Sequence, residues 1–270
     1  MRICLLRCLT YKIKSILLFS VKRYAVCALY IYMRKINSLF FGVRNFFFPG
    51  TCALCGTGLT GAGEIKRGLC EQCGASFSLV TDERCNLCGK PLISEKGFCL
   101  SCRNGEEHSF DRLWALFPYT GKYRRLLAAY KFGKNLALAD FFAEKAAEVI
   151  AAHQILKNAC IVPVPPRPGK IKDSGWDQVD CLVKRLEKLE NGRISVSRCL
   201  KRRKSGIQKR LSRAERMENL KGRVYLCGKT PETVLVVDDI ITTGSTMEVC
   251  SAALKAGGAQ KVYGLCLFYD

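Results

Sequence analysis

Thr233 to Met247 reads TVLVVDDIITTGSTM. Val234 to Val237 is a short, largely β-branched apolar run of the kind found in buried parallel strands. Asp238 and Asp239 follow, where such a strand would emerge from its sheet. Thr242, Thr243, Gly244, Ser245 and Thr246 then form a loop of small hydroxyl residues around one glycine. Met247 to Ala256 has the length and composition of a helix. A strand that ends in acids and turns through a Thr/Gly loop into a helix N-terminus is a phosphate cradle. Its N–H groups and hydroxyls face the anion and the helix dipole adds to the attraction. In open α/β sheets such a site lies beyond the carboxyl ends of the strands. The plain alternative is a strand–turn–helix corner with two solvated acids and a Thr-rich cap.

Upstream of this stretch, strands and helices alternate. Asp111 to Tyr119 reads as a first strand, and Ala159 to Val164 as a second, buried one. Tyr123 to Tyr130 and Leu136 to His153 carry helical apolar spacing, the latter through Leu138, Phe141, Phe142, Ala146, Val149 and Ile150. Gly175-Trp176-Asp177-Gln178 opens a helix from Val179 to Leu189. Arg193 to Val196 and Arg223 to Cys227 read as further strands, and Lys261 to Phe268 as the last. The alternation predicts an α/β fold, a mainly parallel sheet flanked by helices. The second strand runs into Pro165-Pro166-Arg167-Pro168-Gly169-Lys170. Stiff backbone beside the cations Arg167 and Lys170 suits a diphosphate; a bare proline-rich connection is the alternative.

Eight of the 17 cysteines form four Cys-x-x-Cys pairs: Cys52/Cys55, Cys70/Cys73, Cys85/Cys88 and Cys99/Cys102. Each pair sets two thiolates on one turn, and two turns complete a tetrahedral site. The expected arrangement is sequential, two structural zinc ions in a small double zinc ribbon; the alternative pairing is cross-braced. Gly56, Gly74 and Gly89, each directly after a second cysteine, supply left-handed turn geometry. Tetra-cysteine iron–sulfur clusters are the competing chemistry, less suited to such even pairs. The segment has little core of its own, so metal must hold it. His108 reads as a linker residue and His153 as a helix end.

The net charge of +21 is concentrated in two places. Residues 1–48 hold nine basic and no acidic residues, and Arg198 to Arg223 holds eleven basic residues against Glu215 and Glu218. Such local excess points to polyanion contact. Within residues 1–46, the apolar runs Ile16–Val21 and Tyr24–Met33 fall short of the roughly 18 residues a membrane-spanning helix needs. Residues 1–32 read as an extended reading frame with Met33 as the start; a basic amphipathic anchor on anionic lipid is the alternative. Scattered single cysteines suit a reducing, cytoplasmic compartment. The division is thus a basic extension at 1–46, the ribbons at 47–104 and the α/β domain at 110–270.

Several of these motifs together carry a resemblance. The 233–247 stretch resembles the signature of type I phosphoribosyltransferases, a hydrophobic strand, an acidic pair and Thr-Gly-x-Thr/Ser. With the ribbons, Val162-Pro163-Val164-Pro165, Gly175-Trp176-Asp177-Gln178, Gln208, Leu211, Arg213, Arg216 and Asn219, the chain from about Phe47 to Asp270 resembles the ComF family of competence-associated, phosphoribosyltransferase-like proteins. That resemblance implies a type I phosphoribosyltransferase-like sheet that binds phosphoribosyl pyrophosphate (PRPP) with Mg²⁺. Thr242 to Thr246 would hold the 5′-phosphate, Asp238 and Asp239 the ribose hydroxyls or water on Mg²⁺, and Lys131 would sit near the substrate. One departure is Asp173-Ser174, where the family carries an arginine; Arg167, Lys170 and Lys172 stand close by as substitutes. Two functions follow. One is a pentosyl transferase with an unnamed acceptor; the other is a non-catalytic, PRPP- or nucleotide-sensing adaptor for single-stranded DNA or uptake proteins. The basic block at Leu200–Gly222 would then close over a polyanion. Self-association is open.

Overall fold

The computed structural model describes residues 50–203 and 222–270. The basic N-terminal extension with Met33, and residues 204–221 of the second basic block, lie outside the described residues. Thr51 to Asp270 packs as one unit. Among the described residues no helix is long and apolar enough to cross a membrane.

The elements in order are α1 (Ala62–Arg67), α2 (Glu71–Ala75), α3 (Leu100–Arg103), β1 (Arg112–Pro118), α4 (Gly121–Lys131), α5 (Leu138–Ala152), β2 (Cys160–Pro163), α6 (Lys170–Ser174), α7 (Gln178–Leu189), β3 (Leu200–Arg202), β4 (Val224–Leu226), β5 (Thr233–Ile241), α8 (Ser245–Ala256) and β6 (Lys261–Tyr269). β1, β6, β5 and β2 form one sheet in that order, with every pairing parallel. The expected α/β architecture is therefore present. Its central strands are near-continuous apolar runs because both faces are covered.

Side-chain parity along β5 divides the core. Leu235 and Val237 pack with α4, α5 and α7, through Leu126, Tyr130, Phe142, Leu182 and Leu186. Val234 and Val236 pack on the other face with Met247, Cys250 and Leu254 of α8 and with Leu200 and Val224. α8 lies close against β6 because Gly264 has no side chain: a Cβ there would meet the Met247 sulfur at 2.9 Å.

Three expectations are corrected. Arg193 to Val196 is not a strand; only Val196 makes an isolated bridge, to Ile161, since Arg193 and Ser195 are exposed and have no second partner row. The strand at Arg223–Cys227 exists as β4, but it pairs antiparallel with β3 in a separate two-stranded ribbon. β3 itself lies within the stretch read as a basic loop. Leu200 is buried there while Lys201 is exposed, so one apolar side chain on the inner face is enough to seat it.

The ribbons pack on β1 and α5. The Val80 N–H donates to Leu116 O and the Leu113 N–H to Leu87 O, each at 2.9 Å. Phe77 makes edge contacts with Phe117, Tyr123 and Phe141, and Lys66 and Arg67 both pair with Glu144 of α5. Leu69 and Phe77 of the first ribbon belong to the same core cluster as the sheet.

Candidate functional site

β2 stops short of β5. Their pairing ends at Pro163 opposite Val237, and the Val164 N–H caps it by donating to Val237 O at 2.9 Å. β5 continues through Asp238 and Asp239 to Ile241, still paired with β6 at Asp238 opposite Cys266. The acids therefore lie at the carboxyl rim of the sheet, yet inside a strand and buried, rather than at its emergence into solvent.

Parity sends the two carboxylates to opposite faces. Asp239 turns to the α4/α7 side, where its Oδ2 accepts from Lys131 Nζ at 2.8 Å and from Gln178 Nε2. Gln178 is buried, and its backbone carbonyl accepts from the Tyr130 hydroxyl at 2.7 Å, so the clamp is itself held. Asp238 faces the α8 layer, and its Oδ1 accepts from the Asp239 N–H at 2.8 Å. Burial, and next the charge of Asp239, push the Asp238 carboxyl up to about 8. Lys131 and Lys170 pull weakly the other way. At neutral pH the Asp238 carboxyl thus holds its proton beside the Lys131–Asp239 pair, and a raised affinity at one of two acids is usual when they share a site.

Beyond Ile241 comes the cradle. Gly244 has φ +74°, a left-handed turn into α8, which begins at Ser245, two residues ahead of the expected start. The Glu248 N–H donates to Gly244 O at 2.9 Å as the first helical bond. The N–H groups of Ser245, Thr246 and Met247 precede that bond and have no intrahelical acceptor. Thr243 and Ser245 hydroxyls bond each other at 2.9 Å; Thr242 is exposed, and Thr246 is half-buried.

The Pro/Gly loop behaves differently from its simplest reading. Lys170 is engaged by the buried Asp177 at 2.7 Å, and Asp177 also caps α7 by accepting from the Asp180 N–H. Arg167 instead shares a groove of about 320 Å³ with Lys172, Lys201, Arg202 and Tyr225. The Arg202 Nε is buried with no hydrogen-bond partner. Burial, then the Arg167 charge, lowers its proton affinity, while the Asp238 charge raises it. In the sequence Arg202 is one cation of the basic block, a candidate DNA contact with Arg203 and Lys204, and Gln178 is the residue that opens a helix. The strand parity that aims Asp239 at Gln178 was readable; the contact was not.

The eight paired cysteines form two clusters, Cys52/Cys55/Cys70/Cys73 and Cys85/Cys88/Cys99/Cys102, with the sulfurs in each all within 4.8 Å of one another. The pairing is sequential, as expected. In each cluster the first pair sits on a loop turn, closed by Gly56 N–H to Cys52 O and by Gly89 N–H to Cys85 O, both 3.0 Å. The second pair opens a helix, with Cys70 and Cys99 as N-caps of α2 and α3. Gly56 and Gly89 have positive φ. Gly74 does not, because it lies inside α2; that expectation is corrected. Four thiols so crowded cannot all ionise alone. Hydrogen bonds from Thr57 lower Cys55 to about 6, while burial pushes Cys73 up. The donor set fits a tetrahedral divalent cation such as zinc that stabilises all four thiolates, with no protein position left open for catalysis.

His108, expected to be a linker residue, is placed beside the second cluster. Its Nε2 is 3.6 Å from Cys102 Sγ and its Nδ1 3.5 Å from Glu248 Oε2 on α8. His153 does end a helix, α5, and its Nε2 accepts from Trp114 Nε1 at 3.0 Å.

Residues 43–103 match the family model described as a double zinc ribbon domain. Competence protein ComFC of Streptococcus pneumoniae is 28% identical over 199 residues, covering 72% of this chain and 84% of that protein. Competence protein F of Haemophilus influenzae is 28% identical over 227 residues, 80% of this chain and 95% of its own length. DNA utilization protein YhgH of Escherichia coli K12 is 25% identical over 220 residues, 74% and 96%. Over most of its length the chain is similar to these competence and DNA utilization proteins, and it carries a double zinc ribbon at the head of a parallel α/β sheet.

Proposed function

We propose that the carboxyl rim of β5 binds PRPP with Mg²⁺, and that the protein serves DNA uptake or nucleotide metabolism. The observation that carries the reading is a buried acid pair, Asp238 and Asp239, set directly ahead of the Gly244 cradle at one strand end. Thr242 to Thr246 surround the 5′-phosphate, using the unpaired first-turn N–H groups of α8. Asp239, oriented by Lys131 and Gln178, accepts from ribose hydroxyls. Arg167, with Lys170 nearby, faces the diphosphate, and Lys172, Lys201 and Arg202 add positive charge to the same groove. Mg²⁺, when bound, offsets the charge of the diphosphate. The link to DNA uptake is supported by relatives named for competence and for DNA utilization.

In the enzymatic form of this reading the chain displaces pyrophosphate from ribose C1 in favour of an unnamed acceptor. The polar rim stabilises the charge that develops on the sugar. The test is calorimetric titration of the full chain with PRPP and Mg²⁺, followed by a pyrophosphate-release screen over bases and amines. Binding is expected in the wild type and lost in Asp238→Asn/Asp239→Asn. A double variant that binds as well as the wild type removes the site.

A second reading is favoured by the cationic groove and by Arg203, whose guanidinium lies 5.0 Å from the centre of the Tyr225 ring. It is a non-catalytic, PRPP-sensing adaptor for single-stranded DNA, and PRPP binding without pyrophosphate release supports it. DNA affinity should then fall steeply with salt, and less steeply after Arg202→Ala/Arg203→Ala. Salt-insensitive binding counts against it.

A further inference from the structure

We infer that His108 is an outer-shell residue of the second zinc site that fastens this site to helix α8. Metal occupancy at Cys85, Cys88, Cys99 and Cys102 thereby governs how firmly the first turn of α8 is seated. The side chain of His108 is only 7% exposed, and its ring stacks on Phe110 with centroids 4.7 Å apart and planes 20° from parallel. The ring plane is therefore fixed. One edge meets the Cys102 sulfur at 3.6 Å, and the other meets Glu248 Oε2 at 3.5 Å.

Glu248 is built into the same junction. Its Oε1 accepts from the Ser109 N–H at 2.8 Å and from the Ser109 hydroxyl. Its Oε2 is buried with no hydrogen-bond partner, and the His108 Nδ1 is the ring nitrogen beside it. Glu248 also donates the first helical hydrogen bond of α8, to Gly244. A thiolate, an imidazole and a carboxylate thus run in series from the second ribbon to the start of α8. Partners of this kind orient metal ligands and tune their affinity. The four thiols form a complete ligand set, so His108 acts on the metal through Cys102 and not as a ligand. The first ribbon is anchored elsewhere, on α5, where Lys66 and Arg67 both pair with Glu144.

The test uses the full, zinc-loaded chain and its His108→Ala, His108→Gln and Glu248→Gln variants. Zinc release into a chelator is followed by pulse alkylation, resolved by peptide mass spectrometry. In His108→Ala the Cys99 and Cys102 peptides should become reactive roughly 10–100-fold faster. Cys52 and Cys55, as internal control, should keep the wild-type rate. His108→Gln, which retains a donor, should fall between. Amide exchange of Ser245–Ala256 should rise in zinc-loaded His108→Ala and in zinc-stripped wild type alike, while stripping His108→Ala adds little.

Equal acceleration at both sites would mean general loosening and overturns the inference. So does unchanged release at the second site, or exchange in α8 that ignores His108. The metal and exchange readouts need no ligand and do not rest on the PRPP reading. Failure of PRPP to bind the wild type therefore leaves this inference standing.

Discussion

Burial and the charge of Asp239 push the Asp238 carboxyl up to about 8, against 3.8 for an ordinary aspartate. Between those values the folded chain holds a proton that the unfolded chain has released. Stability therefore falls as pH rises through that window, with a limiting slope of about 1.4 kcal/mol per pH unit from this group. Asp238→Asn keeps the neutral shape at every pH, so it should flatten this slope and be the more stable protein near pH 8. Urea unfolding at pH 5, 6.5 and 8 checks it; parallel pH profiles for the two proteins would show that Asp238 is not the proton holder. The acid pair was legible from its place after an apolar run. Its division between two faces was partly legible from parity. The partners were not, because Lys131 and Gln178 lie 108 and 61 residues away from Asp239. His108 lies in the linker between α3 and β1, and its contacts were hidden for the same reason: its neighbour Ser109 meets Glu248 across 139 residues.

The turn into α8 is an element whose strain can be separated from its contacts. Gly244 has φ +74° and open space where a Cβ would stand. Gly244→Ala thus costs only the left-handed conformation, roughly 1–2 kcal/mol. Gly258, at φ +98° just after the same helix and equally open, is the matched control. Gly258→Ala should cost similar stability and leave PRPP affinity unchanged, whereas Gly244→Ala should weaken binding as well. Equal affinities in the two variants would detach the cradle from the ligand. Strand legibility also belongs to this scale. β5 and β6 showed themselves because each is buried on both faces. β3 did not, since only Leu200 of its three residues is buried and basic residues surround it. Arg193–Val196 misled because alternation alone cannot supply a partner strand.

The first ribbon and the α/β domain share one core, through Leu69 and Phe77 on one side and Phe117 of β1 and Phe141 of α5 on the other. Metal removal should therefore be felt throughout residues 51–270. Chelation is expected to give a single thermal transition at lower temperature, and Phe77→Ala with zinc bound to lose about 3–5 kcal/mol. A sheet transition that keeps its wild-type temperature under chelation would show the ribbon to be an independent appendage. Finally, β5 hands one acid to each layer of the sheet. Lys131 and Gln178 answer for one, and the layer containing Arg202 and Cys250 answers for the other. Inherited change in either layer is read out at the same two residues. Divergence among homologues is accordingly expected to run in matched steps across the strand, as covariation between side chains that never meet.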